Sequence, residues 1–98
     1  PVSVVIFRAE TGRLDATHDS LARELHDFAL NESGCLRFEA SCEHGVEIAV
    51  SWWPDEDAIQ RWRHHPRHLE AQRSGRAAWY TSYDVTVARV TRSYGHGP

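Results

Sequence analysis

Long apolar runs and a set of paired cysteines are both missing from this sequence. No apolar stretch approaches the roughly 18 residues of a membrane-spanning helix, so we expect no membrane segment. Residues 1–8 lack the basic start and the long apolar stretch of a signal peptide, which favours a cytoplasmic protein. The two cysteines, Cys35 and Cys42, would lie roughly 23 Å apart on one continuous strand, which is beyond disulfide reach. We therefore expect two free thiols in a reducing compartment.

Positive charge is also scarce, and lysine is absent. The 14 acidic residues outnumber the 11 basic ones, all of them arginine, and the formal net charge is −3. A mildly acidic chain with dispersed arginines binds phosphate backbones poorly, so we expect no nucleic-acid partner. The 98 residues are 41% hydrophobic and include three Phe, three Tyr and four Trp, which is enough for one packed core. We expect a single domain over residues 1–98, with 95–98 as a flexible tail.

Hydrophobic periodicity predicts the element order βαββαβ. Alternating apolar residues indicate strands, and apolar residues at helical spacing indicate an amphipathic helix. The strands are predicted over residues 2–9, 35–41, 46–53 and 80–92, and the helices over 13–30 and from Pro54 to Gly75 with a restart at Pro66. This order is the ferredoxin-like arrangement of the α+β class, a four-stranded antiparallel sheet with two helices on one face.

Both faces of the predicted strands carry apolar residues. Those that we assign to the sheet face away from the helices are Val5, Phe7, Ala49, Trp53, Ala88 and Val90. Exposed together, they would form a larger apolar patch than soluble monomers usually tolerate. In so short a chain the natural cover is a second copy of the same sheet, so we expect a homodimer.

A set of motifs over residues 51–83 resembles the antibiotic biosynthesis monooxygenase family. It reads SWWPDEDAIQRWRHHPRHLEAQRSGR and closes with WYTSY. Members of that family typically show a strand ending in Trp, an acidic helix start, an Ala-x-x-x-Trp step, a His-Pro-x-His element and an aromatic lead into the last strand. The resemblance implies a dimeric α+β barrel, which agrees with a sheet that is apolar on both faces.

The family that this segment resembles includes several activities. Some members are cofactor-independent oxygenases that convert polycyclic phenols to quinones, and others degrade haem. Trp53 matches a Trp of the quinone-forming members, whereas Ala49 and Ile59 stand where they have Asn and Tyr. Trp62 matches the helical Trp of the haem-degrading members, whereas Gln72 stands where they have an iron-ligating His.

The resemblance therefore implies an enzyme whose substrate is open. The first hypothesis is a small oxygenase or related tailoring enzyme for a planar phenolic or polyketide-like substrate, with O2 as co-substrate and no required cofactor. The alternatives are a haem- or metal-binding member of the family, and a dimeric protein that binds an aromatic ligand without turning it over. An N-terminal proline, Pro1, also leaves open a tautomerase whose secondary amine is the base.

Three histidines, His64, His65 and His68, lie within five positions. His64 and His68 have the i, i+4 spacing that can bind a metal, but Pro66 lies between them and no further ligand is nearby, so we predict no metal site. Because histidine titrates near working pH, we predict that His68 or His65 is a general base that faces the cavity between helices and sheet. The alternative is that one of them caps a turn or bonds within the core.

Aromatic residues are numerous for a chain of this length. We expect a flat aromatic pocket for the substrate, lined by Trp53, Trp62, Gln72, Arg76 and Tyr80. Arg76 would hold a phenolate or a carboxylate of the substrate. The alternatives are plain core packing for the two tryptophans and a surface ion pair for Arg76.

Overall fold

A four-stranded antiparallel sheet with helices on one face forms the body of the protein. The computed structural model describes residues 1–98. Its strands are β1 (Ser3–Thr11), β2 (Arg37–Glu43), β3 (Val46–Trp53) and β4 (Tyr80–Arg89), in the spatial order β2-β3-β1-β4. Its helices are α1 (Ala16–Glu32), α2 (Glu56–Arg63) and α3 (Pro66–Ser74), and a π-helical turn over Gly75–Trp79 leads into β4. The predicted ferredoxin-like α+β class is confirmed. None of the helices combines the length and the apolar character that a bilayer crossing requires.

Each helix begins where its sequence provides a cap. The carboxylates of Asp15 and Asp55 accept hydrogen bonds from the backbone N–H groups three residues on, both at 2.9 Å, and so cap α1 and α2. At α3 the cap is His65, whose Nδ1 accepts from the backbone N–H two residues on at 3.1 Å. Pro66 is the first residue of α3, where its missing N–H removes no helical hydrogen bond. The predicted restart at Pro66 is therefore confirmed.

The predicted end of α3 at Ser74 is confirmed, but Gly75 does not turn the chain out of its helical path. Gly75 has helical dihedral angles, φ −59° and ψ −48°, and the chain continues through the π-helical turn to Trp79. A Cβ atom on Gly75 would lie 2.9 Å from Cδ2 of Tyr80. The glycine is therefore required by the close approach of the Tyr80 ring and not by a left-handed turn.

The assignment of sheet faces from the sequence is wrong for β1 and β3. Val5 and Trp53 lie under the helices, with 6% and 0% of their surfaces exposed. Phe7 and Ala49 lie on the same side and line a cavity there. Because both sides of these strands are apolar, a two-residue period carries no information about which side faces the helices.

The sheet face without helices is apolar as well. Its apolar side chains, paired across three strands, are Val4, Ile6, Ile48, Val50, Trp52 and Ala88. Ile6 is 38% exposed and Ile48 41% exposed. Among the residues predicted for this face, Ala88 lies on it, whereas Val90 comes after the last residue of β4. An apolar outer face therefore exists, but different residues form it.

The core lies between the sheet and the helices. Trp53 and Ile59 are its largest fully buried side chains. The indole N–H of Trp53 donates to Oγ of Ser51 at 2.9 Å, and that of Trp62 donates to the carbonyl of Leu25 at 3.3 Å. The two indole rings pack with their centroids 5.2 Å apart. Both tryptophans are therefore buried without leaving an unpaired donor.

Truncation of Ile59 tests the placement of this core. Ile59 is 2% exposed, and we expect Ile59→Ala to lower the free energy of unfolding by about 2–5 kcal/mol, because the lost methyl groups leave a cavity. Leu69 on α3 is 47% exposed, and Leu69→Ala should cost under about 0.5 kcal/mol. Urea denaturation followed by tryptophan fluorescence, at one protein concentration, measures both losses. Equal losses would contradict the assignment.

Candidate functional site

A cavity of about 1130 Å³ lies between the sheet and the helices, and it opens to solvent. Its aromatic lining consists of Phe7, Phe38, Trp62, Trp79, Tyr80 and Tyr83. Space remains because small side chains line it where larger ones would close it, among them Ala22 on α1, Ala49 on β3 and Ala71 on α3. A concave, largely aromatic surface of this size suits a flat organic ligand.

A buried polar cluster on the wall of this cavity joins three elements. His18, in the first turn of α1, has Nε2 2.9 Å from Oε1 of Glu47 on β3 and 3.2 Å from the hydroxyl of Tyr80 on β4. Its Nδ1 lies 3.0 Å from Oδ1 of Asp19. The Tyr80 hydroxyl donates to the second oxygen of Glu47 at 2.8 Å. His18 is 8% exposed and the Glu47 side chain 15% exposed, so the bond between them is shielded from water, whereas the Asp19 side chain is 66% exposed.

Tyr80 acts in this cluster as a neutral hydrogen-bond donor. Burial raises the pKa of Tyr80 above its usual value, and the hydrogen bond and charge of Glu47 raise it further. Loss of the phenolic proton would place two anions side by side in a shielded site. The Tyr80 hydroxyl therefore holds Glu47 in place and does not itself exchange a proton with a ligand near pH 7.

His68 lines the same cavity in a different environment. Its ring packs edge-on against Trp62, with the centroids 4.2 Å apart, and its Nδ1 lies 3.4 Å from Nε2 of Gln72. Burial, with smaller contributions from the charges of Arg63 and His65, lowers the pKa of His68 to about 4. The imidazole of His68 is therefore neutral near pH 7 and holds an added proton weakly.

The structure brings most of the predicted site residues together. Those that line the cavity are Trp62, His68, Gln72, Arg76 and Tyr80. Trp53 does not line it, because its ring is fully buried in the core behind Trp62. His65 does not line it either, since its Nδ1 caps α3 and its ring packs on Phe28 with the centroids 4.0 Å apart. Of the two predicted bases, His68 is the one on the cavity wall.

Sequence reasoning missed His18 and Glu47. His18 lies on the apolar stripe of α1, in step with the buried Leu21 and Leu25, and Glu47 shares the inward side of β3 with Ala49. A histidine and a glutamate on apolar faces are the signal that could have identified them. The two residues are 29 positions apart, however, and nothing local in the sequence shows that they meet.

Arg76 is placed to bind an anionic group of a ligand. It lines the cavity, and its Nη1 lies 3.4 Å from the hydroxyl of Tyr83. No carboxylate lies within ion-pair distance of its guanidinium, in contrast to Arg67, which pairs with Glu24 and Glu70. Apart from the N–H directed at Tyr83, its donors therefore remain available for a phenolate or a carboxylate.

The residues present do not fit the haem ligation that the resemblance leaves open. Gln72 provides an amide at the position of the iron ligand, and the nearby imidazole of His68 is packed against Trp62. No three His, Cys, Asp or Glu side chains converge to hold a metal ion. His64 ends α2 with its Nδ1 2.9 Å from the carbonyl of Gln60, so it does not share a helix with His68.

The structure is a small α+β domain, a βαββαβ sheet with an aromatic cavity under its helices. The family model for antibiotic biosynthesis monooxygenases matches residues 2–74. The chain therefore belongs to the antibiotic biosynthesis monooxygenase family.

Two related sequences and two solved structures illustrate this membership. The uncharacterised protein YqjZ of Bacillus subtilis is 39% identical over 93 residues, covering 94% of this chain and 82% of that protein. Jasmonate monooxygenase ABM of Pyricularia oryzae is 31% identical over 94 residues, covering 91% of this chain but 43% of that protein, so this chain spans less than half of its length. SnoaB, a cofactor-independent oxygenase from Streptomyces nogalater, superimposes with a TM-score of 0.77 at 16% identity, covering 97% of this chain and 98% of that one. Rv0793 from Mycobacterium tuberculosis superimposes with a TM-score of 0.72 at 18% identity, covering 97% of this chain and 100% of that one.

The buried ring of His68 makes stability depend on pH. Because its pKa falls from 6.5 to about 4 on folding, the unfolded chain takes up the proton first. The contribution of His68 to the free energy of unfolding is fully present above about pH 6.5 and is lost as the pH falls toward 4. As the pH falls from 7 to 5, we expect the free energy of unfolding of His68→Gln to decrease by roughly 1–2 kcal/mol less than that of the wild type.

Urea denaturation at pH 7 and pH 5 measures this difference. His64→Gln is the control, since His64 is exposed at the end of α2 and should keep the wild-type pH dependence. A wild-type pH dependence in His68→Gln would contradict a buried, neutral ring at this position.

Proposed function

We propose that the protein is a monooxygenase that binds a planar phenolic substrate in the aromatic cavity and requires no cofactor. The observation that carries the proposal is the cavity itself, about 1130 Å³ in volume, whose lining combines six Phe, Trp and Tyr rings with polar side chains that include His18, Glu47 and Arg76. Family membership and a relative named as a monooxygenase support oxygen chemistry. The fold is also that of a cofactor-independent oxygenase, SnoaB.

The lining of the cavity supports recognition of a flat phenol. The rings of Phe7 and Tyr80 meet edge to face at 5.4 Å, and those of Phe38 and Trp62 at 5.8 Å, so the aromatic surface covers more than one side. Such surfaces bind polycyclic rings by stacking and by burial of apolar area. The Arg76 guanidinium provides the positive charge that a phenolate needs.

The chemistry balances without an outside reductant when the substrate carries an activated CH2 group between its rings. A base removes a proton, and the resulting anion passes an electron to O2 before the two radicals combine. In the net reaction two C–H bonds break and one C=O bond forms, while one oxygen atom enters the product and the other leaves in water. The protein supplies a shielded pocket and the base, and the histidines on the wall, His68 and His18, are the candidates for that base.

Oxygen uptake with an anthrone tests the proposed reaction. Protein treated with a chelator is expected to consume one O2 for each quinone formed, as measured with an oxygen electrode and by absorption of the product. Ala49→Phe should reduce kcat/KM by about tenfold or more, because the added ring fills the cavity that the substrate needs.

The matched control is Ala77→Phe, which adds the same ring at an exposed position of the π-helical turn and should keep wild-type turnover. Binding without turnover across a panel of polycyclic phenols would contradict the oxygenase and favour a ligand-binding protein. Turnover that appears only after a metal is added would contradict the absence of a cofactor.

We also propose that a second copy of the chain covers the outer face of the sheet. The central apolar side chains of that face, Ile6 and Ile48 among them, are about two-fifths exposed. A standard interface buries about 800 Å² on each partner, and at about 25 cal/mol per Å² of apolar area the gain outweighs the cost of association. The dimeric barrel implied by the family resemblance places two such sheets face to face.

Light scattering at micromolar concentration is expected to give a mass near 22 kDa, twice the 11.2 kDa chain. Ile48→Arg should shift the protein to the monomer, because it places a charge in the middle of the contact. Leu69→Arg changes an equally exposed side chain on α3 and should leave the dimer intact. A monodisperse wild-type monomer would contradict the proposal.

A further inference from the structure

His18 and Glu47 lie outside the motif over residues 51–83 that resembles the family, yet with Tyr80 they form the most highly connected polar group in the cavity. Its members come from α1, β3 and β4, and three hydrogen bonds of 2.8–3.2 Å join them. All three residues line the cavity. Burial of so many polar atoms on an apolar face is costly unless they are paired, and here they pair with one another.

Carboxylate oxygens lie beside both ring nitrogens of His18. A neutral imidazole has one N–H donor, but both ring nitrogens of His18 face carboxylate oxygens, Glu47 at 2.9 Å and Asp19 at 3.0 Å. After taking up a proton, His18 can donate to both carboxylates at once. The ionisable groups in contact with the ring are Asp19, Glu47 and Tyr80. The Asp15 carboxylate bonds the backbone N–H of His18, and Cys42 lines the same cavity.

His68 lacks this support. Its ring contacts Trp62 and the amide of Gln72, and no carboxylate lies within ion-pair distance. Burial lowers its pKa to about 4, so a proton taken from a substrate would not stay on it. Three imidazoles line the cavity, those of His18, His26 and His68. His26 has one carboxylate, Asp27, 3.6 Å from its Nδ1, whereas His18 has a carboxylate oxygen within 3.0 Å of each ring nitrogen.

We propose that His18 and Glu47 together form the proton acceptor of the cavity and that Tyr80 is a positioning residue for Glu47. The inference rests on the proposed function and deepens it. In the step, the O–H or acidic C–H bond of the bound phenolic substrate breaks, and its electron pair stays on the substrate as an anion. The proton adds to the ring nitrogen of neutral His18 that carries no hydrogen and forms an N–H bond there. The resulting imidazolium donates to Glu47 and Asp19. The protein gains one positive charge and the substrate one negative charge, so the total charge is unchanged.

The test uses 4-nitrophenol, a planar phenol whose anion absorbs visible light and which is mostly neutral in water at pH 6. We expect binding to the wild-type protein to produce the absorption of the anion. His18→Asn and Glu47→Gln should each lower the bound ratio of anion to phenol by about tenfold or more. Tyr80→Phe keeps both acceptor residues and should lower the ratio only a few-fold.

Two controls separate a role in proton transfer from a structural one. His64→Gln removes an exposed imidazole at the end of α2, and Glu43→Gln removes an exposed carboxylate on β2, and both should keep the wild-type ratio. Circular dichroism of each variant verifies its fold. Because Glu47→Gln keeps the size and shape of the side chain, it tests the inference even where His18→Asn does not fold.

Oxygen uptake with the anthrone separates this inference from the function on which it rests. In a turning-over enzyme, His18→Asn and Glu47→Gln should lower kcat by about 100-fold or more, and His68→Gln by much less. Wild-type turnover with unchanged rates in both the His18 and the Glu47 variants would overturn the inference and leave the proposed function intact. Anion formation by the bound probe without oxygen uptake would contradict the oxygenase but support the acceptor. A probe that stays neutral when bound to the wild type, or that does not bind, would overturn the acceptor.

Discussion

The position of the Trp62 indole determines how one sheet face holds both a core and a cavity. Its N–H donates to the carbonyl of Leu25, which ties α2 to α1. One contact of the ring is with Trp53 in the core, at 5.2 Å, and another is with His68 in the cavity, at 4.2 Å. Turning the ring would leave a buried N–H unpaired, which costs on the order of 1–3 kcal/mol. The same side chain therefore closes the core and holds a wall of the site in place.

Much of the fold follows from local patterns in the sequence. The predicted bounds of β3 and α3 agree with the observed Val46–Trp53 and Pro66–Ser74, because Pro54 and Pro66 stop one element and start the next. The inward faces of β1 and β3 could not be predicted, since both sides of each strand are apolar. The role of Gly75 could not be predicted either, because it depends on a contact with the ring of Tyr80. Local patterns indicate where elements lie but not which of their sides meet.

The candidate site likewise contains residues that are close in the sequence and residues that only the fold brings together. Trp62 lies near the end of α2, and His68 and Gln72 lie four residues apart on α3, so a short segment of chain carries all three. The cluster around His18 depends on contacts with residues 29 and 62 positions away. Those contacts form only after the sheet has brought β3 and β4 beneath the start of α1. The part of the site that the sequence indicates is therefore its helical wall, and the part that it conceals is the polar cluster built across the sheet.

Two of the three imidazoles that line the cavity, those of His18 and His68, differ in what surrounds them, and this difference suggests different roles. His68 lies against an indole ring and an amide, which keeps it neutral and leaves it suited to hydrogen-bonding a substrate oxygen. His18 lies between two carboxylates, which suits it to carry a positive charge. Acid–base roles in active sites are commonly assigned by such contrasts in environment. A phenol in this cavity would then be oriented by one histidine and deprotonated by the other, and Arg76 would be available to stabilise the anion that forms.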